Sequence, residues 1–289
     1  MLDKAFTGWE RDSTSRTRMR VVLISRILPA VIGYSALLRE LGHEPVALMC
    51  TRDRADRYGG LGDLLAGAPT DLDVVCPASR ERIAPLLRSF EPDLALCTGF
   101  PWKIPADALA VPTHGIVNGH PSLLPRYRGA NPVAWAIRNG ESEIGFTLHY
   151  MDAELDTGNV LAQVAIPLDD EQGWEELEPK FAPVLGEILP SVLERVERDD
   201  PGTPQSEEGA SYFSFFEPDY AWIDWKRPAV EIARQVRAWR FHSAVTPHGA
   251  LTELDGATVR VLRVSLEPTD GREMACGDGT LWIVETEAA

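Results

Sequence analysis

The sequence has no long apolar run and no cysteine pattern typical of a metal site. Its apolar runs, such as residues 46–50, are far too short to span a bilayer. The first eighteen residues are polar and mixed in charge, without the apolar core of a secretory signal peptide, so we expect a disordered tail. The four cysteines are scattered without metal-ligand spacing, at Cys50, Cys76, Cys97 and Cys276. These absences predict a cytoplasmic protein with no membrane segment and no metal ion.

A glycine-rich nucleotide loop is also absent. Residues 20–25 predict a strand, residues 30–42 a helix that ends at a glycine, and residues 45–51 a second strand. The turn between the first strand and the helix reads RILP, at residues 26–29, where a dinucleotide-binding protein has G-x-G-x-x-G. The loop that would seat a pyrophosphate on the helix N-terminus is missing, so we do not expect NAD as a cofactor.

Basic charge is scarce. The chain of 289 residues carries a formal charge of −16, and residues 206–289 contain fourteen acidic against eight basic side chains, a net charge of −6. Proteins that bind a polyphosphate backbone rely on clustered lysine and arginine, so this composition is unfavourable for RNA. A local patch such as Arg234, Arg237 and Arg240 leaves nucleic-acid binding open.

Strand and helix patterns alternate in the N-terminal part of the chain. Further strands are predicted at residues 73–76, 93–98, 115–118 and 144–151, with helices at residues 79–90 and 132–139. This alternation predicts an α/β protein with a Rossmann-like, mostly parallel sheet. The glycine-rich residues 53–70 show no periodicity, and we predict a mobile surface loop there.

Polar side chains follow the predicted strand at residues 115–118. Pro121 and Pro125 prevent a helix from continuing the strand, so Asn118 and His120 emerge where the strand ends. Two residues apart on an extended backbone, their side chains point to the same side. Because ligands of an open α/β sheet bind outside the carboxyl ends of the strands, these groups are candidates for catalysis, with loop capping as the alternative.

A second predicted loop, after the strand at residues 144–151, contains the carboxylate of Asp156. Residues 144–151 predict a neighbouring strand, and the glycine-containing turn that follows it carries Asp156. If the two strands are neighbours, Asp156 lies near His120. The alternative is that this turn aspartate bonds only its own backbone. His114 and His149 belong to neither motif, and we interpret both as structural.

The rest of the chain predicts a change of architecture. Residues 174–200 have a helical composition that is broken by prolines, which predicts two or more helical pieces. Residues 199–210 are polar and rich in Pro, Gly, Ser and Glu, which is typical of a linker. The elements predicted after it are a helix and three strands, at residues 228–239, 249–254, 258–266 and 281–285.

Four sequence motifs lie close together: Asn118, HPSLLP at residues 120–125, RGA at residues 128–130 and MDAELDTG at residues 151–158. Together they resemble the signature of the folate-dependent formyltransferases, a family that includes methionyl-tRNA, glycinamide ribonucleotide and sugar N-formyltransferases. The resemblance is specific, because an asparagine, a histidine and an aspartate match at family-like spacing within about forty residues. A looser similarity extends from Met19 to the last residue.

The resemblance implies a domain organisation. We expect a tail, a formyltransferase catalytic domain, a linker and a smaller OB-like C-terminal domain, at residues 1–18, 19–200, 201–210 and 211–289. We expect a monomer or a homodimer, with no membrane partner.

The resemblance also implies a catalytic group of three residues. Asn118 would donate its amide to the developing oxyanion. His120 would assist as a hydrogen-bond donor and in proton movement, and Asp156 would orient His120 or relay a proton through water. Which of the three takes the proton of the amine is left open.

The formyl donor implied by the resemblance is 10-formyltetrahydrofolate. A pterin is flat and has amide-like edges, and the loop at residues 99–105 is pinned by two prolines and carries two aromatic side chains. The expected cofactor contacts are Phe100, Trp102, Lys103, Ile104, Met151, Asp152 and Leu155. For Phe100 and Trp102 the alternative is a role in the core or in a lid. The expected acceptor contacts are Ser122, Arg126 and Arg128.

The acidic composition bears on which amine is formylated. It favours a primary amine or hydroxylamine of a small molecule, such as a secondary-metabolite amine, a hydroxyornithine or an amino sugar, and methionyl-tRNA is the alternative. Formimidoyl transfer and hydrolysis of 10-formyltetrahydrofolate are further alternatives. A non-catalytic folate sensor would have no need for three reactive groups.

Overall fold

A computed structural model describes residues 18–52, 59–169, 173–242 and 249–289. The predicted N-terminal tail, apart from Arg18, lies outside these ranges, as do the first six residues of the predicted loop at 53–70. Within the described residues, no helix is long and apolar enough to cross a membrane. In the same part of the chain, no three His, Cys, Asp or Glu side chains are grouped so that they could hold a metal ion.

The N-terminal domain is built on a seven-stranded sheet. The first eight strands of the chain are β1 Arg20–Ser25, β2 Glu44–Met49, β3 Asp73–Val75, β4 Leu94–Thr98, β5 Ile116–His120, the short β6 Arg128–Gly129, β7 Glu143–Tyr150 and β8 Val160–Pro167. The sheet order is β3-β2-β1-β4-β5-β7-β8, with β7 and β8 antiparallel to their neighbours and the other pairs parallel. This arrangement confirms the α/β, Rossmann-like prediction.

Helices cover both faces of this sheet. They are α1 Leu28–Glu40, α2 Leu61–Gly67, α3 Ile83–Arg88, α4 Ala106–Leu109, α5 Pro132–Arg138, α6 Trp174–Leu177 and α7 Phe181–Glu197. Alternate residues of β1 point to opposite faces, so that Val21 packs with α1 and α7 whereas Val22 packs with α3 and α4. In α1 the buried residues recur at helical spacing, at Val31, Tyr34, Ser35 and Leu38.

Two parts of this domain differ from the sequence-based expectation. Helix α2 occupies part of the predicted loop at 53–70, because Leu64 is buried against the core. Strand β8 has no predicted counterpart, although it pairs with β7 along its full length. Its pattern is one of partial burial, as expected for a strand at the edge of a sheet. Residues 174–200 do form two helical pieces, α6 and α7, as predicted, although Pro190 lies inside α7 without ending it.

The C-terminal domain contains a second, four-stranded sheet. Its elements are β9 Tyr212–Phe213, α8 Ala229–Phe241, β10 Ala250–Leu254, β11 Ala257–Ser265, β12 Arg272–Cys276 and β13 Gly279–Ala288. Strands β10, β11, β13 and β12 pair antiparallel in that order, and α8 packs against the sheet. The smaller antiparallel domain confirms the expected second module, with β12 as a strand that the sequence pattern did not predict.

The predicted linker is closely attached to the N-terminal domain. Thr203 and Val160 exchange two backbone hydrogen bonds of 2.8 Å. Beyond it, β9 pairs in parallel with β6, which precedes α5. Aromatic residues then join the two domains, because Phe216 contacts Trp135 of α5 as well as Trp239 of α8. The segment therefore folds onto the sheet edge instead of spanning a gap between domains.

Candidate active site

The site lies at the carboxyl end of β5, where β5 meets β7. These two strands are neighbours, as the sequence predicts, and Asn118 stands directly opposite His149 in their antiparallel register. His120, the last residue of β5, is buried, and Asn118 is half-buried. The strand thus delivers both polar side chains to one place.

The turn after β7 brings Asp156 to the same place. Asp156 has a φ of +59°, in the left-handed region that a short polar side chain tolerates. Two residues on, Gly158 lies so close to the Tyr150 carbonyl that a Cβ at this position would stand 1.8 Å from the carbonyl oxygen. Glycine is therefore required at position 158, and the tight turn aims the Asp156 carboxylate back at β5.

The Asp156 carboxylate is the centre of the site. Its Oδ1 lies 3.4 Å from Asn118 Nδ2, 3.6 Å from His120 Nδ1 and 3.6 Å from His149 Nε2. Its Oδ2 accepts a 2.8 Å hydrogen bond from the backbone N–H of Gly129. The structure therefore brings the three predicted catalytic residues together, and it adds a second imidazole.

The hydrogen bonds of His120 define which ring nitrogen is available. Its Nε2 lies 2.8 Å from the Tyr127 carbonyl, which can only accept, so Nε2 carries the proton. In the neutral ring Nδ1 then has a free lone pair, and it is Nδ1 that faces Asp156. This nitrogen can take up a proton and form an ion pair with the carboxylate.

His149 is the residue that the sequence interpretation misplaced. It was expected to be structural, but its ring lies in the site, 6.4 Å from the ring of His120 and nearly perpendicular to it. Its Nδ1 donates to the Tyr150 carbonyl at 2.8 Å, so its Nε2 accepts from Asn118 Nδ2 at 3.1 Å. His149 thereby fixes the orientation of the Asn118 amide. His114, by contrast, pairs with Asp199 outside the site.

Burial and charge shift two titrating groups in the site. Burial lowers the pKa of the His120 imidazole, and this effect outweighs the nearby Asp156 charge, which acts to raise it. Burial acts to raise the pKa of the Asp156 carboxyl, but His120, His149 and the Gly129 N–H together lower it to about 2. At neutral pH the site therefore holds a carboxylate beside a neutral imidazole.

The predicted cofactor loop lies beside this cluster. The rings of Phe100 and Trp102 meet edge to face, with centroids 6.0 Å apart, and both pack against the core beneath the loop. Ile104 is buried, whereas Lys103 is exposed and lies 3.6 Å from Glu154. Lys103 and Ile104 line a cavity of about 360 Å³.

The other predicted cofactor contacts belong to the segment that follows β7. Met151 packs against the same apolar cluster as Phe100 and Trp102. The Asp152 carboxylate accepts from the Thr157 hydroxyl at 2.7 Å and thus braces the turn. Leu155 is 37% exposed and presents an apolar side chain to solvent. Their contacts with a bound folate stay a prediction.

The three residues predicted to contact the acceptor differ in their exposure to solvent. Ser122 is buried and its hydroxyl donates to the Arg126 carbonyl at 2.8 Å, which does not favour contact with an acceptor. Arg126 is exposed and pairs with Glu141. Arg128 is 8% exposed, and its Nε donates to Gln205 Oε1 at 3.1 Å. Among the three, Arg126 has the exposed side chain that an acceptor could reach.

Comparison with known proteins agrees with this fold. A family model described as "Formyl transferase" matches residues 76–193, and a second, "Formyl transferase, C-terminal domain", matches residues 216–289. The first match includes Asn118, His120 and Asp156, and the second covers the C-terminal module. The chain belongs to the formyltransferase family, a class of one-carbon transferases.

Curated relatives carry a more specific name. A methionyl-tRNA formyltransferase of Myxococcus xanthus is 37% identical over 215 residues, which is 70% of this chain and 67% of the relative. Another, from Geobacter sulfurreducens, is 32% identical over 280 residues, which is 86% of this chain and 83% of the relative. The similarity to the second protein therefore extends through both domains.

Solved structures share the fold at lower identity. HypX from Aquifex aeolicus has a TM-score of 0.69 at 21% identity, over 94% of this chain and 46% of HypX, so this chain spans less than half of that protein. The sugar 3N-formyltransferase WlaRD has a TM-score of 0.62 at 17% identity, over 94% of this chain and 98% of WlaRD. At these identities the similarity to the two solved structures shows a shared fold and no more.

Proposed function

We propose that this protein transfers a formyl group from 10-formyltetrahydrofolate to a primary amine. The observation that carries the proposal is the Asp156 carboxylate, which is contacted by Asn118, His120 and His149 at the carboxyl end of β5. HypX, which shares the fold, has been crystallised with tetrahydrofolic acid, and WlaRD with a formylated folate.

The residues beside the cluster suit a folate. A pterin needs apolar surface for its ring faces and polar backbone groups for its edges. The loop that holds Phe100, Trp102 and Ile104 offers this combination next to a cavity of about 360 Å³. When bound there, the donor supplies a formyl group that is activated as an amide-like electrophile.

Asn118 is suited to stabilise the charge that develops on the formyl oxygen. One N–H of its amide donates to His149 Nε2 at 3.1 Å, whereas the contact with Asp156 is longer, at 3.4 Å. Because the amide group is planar, the second N–H then points to the Asp156 side of the site, and it can donate to an oxyanion that lies there. A single positioned donor of this kind is worth about 10²–10³ in rate.

His120 is suited to take the proton of the attacking amine. Its Nε2 is committed to the Tyr127 carbonyl, so Nδ1 is the atom that receives the proton. The imidazolium that forms then pairs with Asp156, which lies 3.6 Å from Nδ1. The proton can pass from Nδ1 to the departing folate nitrogen, which completes the transfer.

For the acceptor, we propose the amino group of methionyl-tRNA. The support is the name of the relatives, since proteins called methionyl-tRNA formyltransferase are 32–37% identical over 215 to 280 residues of this chain. This choice reverses the order expected from composition, in which a small molecule was preferred.

A small-molecule amine is the second candidate, and the charge distribution favours it. The C-terminal residues 206–289 carry a net charge of −6, with fourteen acidic against eight basic side chains. The arginines of α8 face the catalytic domain: Arg234 lies against Gly140, and Arg237 donates to the Asp169 carbonyl. An RNA backbone would meet few lysine or arginine clusters on such a surface.

The experiment is formyl transfer from 10-formyltetrahydrofolate to methionylated initiator tRNA, run beside a panel of amino sugars and hydroxylamines. Formylation of the tRNA, with an affinity that falls steeply as salt rises, supports the first acceptor. Turnover only with small amines supports the second. Donor consumption that needs no amine would indicate a hydrolase, and no consumption under any condition would contradict the proposed reaction.

A further inference from the structure

Residues 201–213 form a segment that we call the interdomain strap. It contacts two parts of the active site: the segment with Tyr127 and Arg128, and the turn after β7 that carries Asp156, which we call the catalytic turn. On one side, Ser211 accepts from the Arg128 N–H at 2.9 Å through its carbonyl and from the Tyr127 N–H at 2.9 Å through its hydroxyl. On the other, the Pro201 carbonyl accepts from Asn159 Nδ2 at 2.8 Å. The strap therefore borders the catalytic turn and the segment that binds His120.

One strap side chain, Gln205, contacts the backbone of the catalytic turn itself. Its Nε2 donates two hydrogen bonds of 2.8 Å, to the carbonyls of Asp156 and Gly158. Its Oε1 accepts from Arg128 Nε at 3.1 Å. A half-buried side-chain amide thus uses both its donor and its acceptor groups within the site.

These contacts close a circuit of hydrogen bonds around the catalytic carboxylate. Asp156 Oδ2 accepts from the N–H of Gly129, Gly129 follows Arg128, and Arg128 donates to Gln205, which returns to the Asp156 carbonyl. The backbone of Asp156 is in the left-handed region, where a non-glycine residue is held only by its surroundings. Two bonds from one amide provide such a constraint.

We infer that Gln205 is a positioning residue, which sets the place of the Asp156 carboxylate by tying the catalytic turn to the Arg128 segment. Its effect on turnover rests on the proposed formyl transfer. It adds to that proposed function, because it gives the polar linker between the two domains a role in catalysis.

The test compares Gln205→Glu with Glu207→Ala. The glutamate keeps an acceptor for Arg128 but loses both N–H groups, so the two turn carbonyls lose their donor. Glu207 lies on the same strap, and its carboxylate pairs with Arg128 at 3.4 Å without touching the turn. The second variant is therefore a matched control that weakens the Arg128 contact alone.

We expect Gln205→Glu to lower kcat by about 10- to 100-fold with a smaller change in KM for the formyl donor, because a reacting group that is displaced by an ångström costs rate of this order. Glu207→Ala should keep the kcat of the wild type. Hydrogen exchange of the amides at residues 156–158 should accelerate in Gln205→Glu and not in the control. A Gln205→Ala variant repeats the test if the glutamate lowers the melting temperature.

A wild-type kcat in the Gln205 variants, or an equal loss in Glu207→Ala, would overturn the inference. Unchanged exchange at residues 156–158 would overturn it as well. The exchange measurement needs no substrate, so it separates this inference from the proposed function: if the wild type transfers no formyl group, the contact between Gln205 and the turn is still tested.

Discussion

Two clusters of side chains in this protein include histidine, one around the Asp156 carboxylate and the other around the Phe216 ring. In the first, polar groups surround the Asp156 carboxylate at 2.8–3.6 Å. In the second, four aromatic rings surround Phe216 with centroids 4.6–5.2 Å away, and the His242 ring is one of them. In the proposed reaction the first cluster moves a proton, whereas the second cluster holds the two domains together.

The difference between the clusters lies in what each histidine can do. His242 accepts a hydrogen bond from the Phe216 N–H at 3.0 Å and stacks on the Phe216 ring, so its ring is fixed by packing. His120 keeps Nδ1 facing a carboxylate. An imidazole acts as a proton acceptor only where one ring nitrogen stays available, so residue type alone does not distinguish the two sites.

The largest effect is expected from removing the catalytic groups. Asn118→Ala, His120→Ala and Asp156→Ala should each lower kcat by at least ~10², because each removes an oxyanion donor or a proton-transfer group. Steady-state formyl transfer measures this, with circular dichroism as a control for folding. Turnover close to that of the wild type in His120→Ala would show that the proton takes another route.

Breaking the aromatic cluster should affect stability and not chemistry. Phe216→Ala removes a buried ring that contacts Trp135 of one domain and Trp239 of the other. We expect the free energy of unfolding to fall by about 3–5 kcal/mol. Denaturant titration followed by tryptophan fluorescence measures it. A loss below about 1 kcal/mol would mean that other contacts, such as the pairing of β6 with β9, join the domains.

A smaller kinetic effect is expected from His149. His149→Phe removes the acceptor that fixes the Asn118 amide, but the catalytic groups themselves remain. We expect kcat to fall by about 10-fold, because one hydrogen bond that orients a catalytic group is worth roughly 1–1.5 kcal/mol. His114→Phe is the matched control, since His114 pairs with Asp199 outside the site. Equal losses in the two variants would contradict a special role for His149.

The smallest effect is expected at the surface of the C-terminal sheet. Arg272 forms an exposed, two-pronged ion pair with Asp255. Exposed pairs contribute little because water and salt screen them. Asp255→Asn should therefore leave both kcat and the melting temperature unchanged. A clear loss of tRNA or small-amine formylation in this variant would instead place the acceptor on this face.

The sequence allowed part of the active site to be predicted, and the reasons are local. Asn118 and His120 share one side of one strand, and the proline after His120 ends that strand. Asp156 follows the next predicted strand of the sheet, so its approach to His120 needs only that β5 and β7 are neighbours. His149 could have been found in the same way, because the register places it opposite Asn118.

The strap could not be predicted from local pattern. Its composition is polar, with Pro, Gly, Ser and Glu, and such residues usually mark a solvated linker. The contacts of Gln205 join residues that are 47 to 77 positions apart in the chain. Strand β8 and helix α2 were not predicted because each is only partly buried. Partial burial leaves a weak periodic pattern of apolar residues in the sequence.

The central claim is that Asp156 controls the protonation of His120 during catalysis. Its most direct test is the pH dependence of kcat in the wild type and in Asp156→Asn, which keeps the shape of the side chain and removes its charge. Burial lowers the His120 pKa and the Asp156 charge acts to raise it, so removing that charge should lower it further. In the proposed mechanism neutral His120 is the proton acceptor, so activity should fall as pH drops through this pKa. The account predicts a lower kcat and an acid limb that moves to lower pH. An acid limb and a kcat equal to those of the wild type would contradict it.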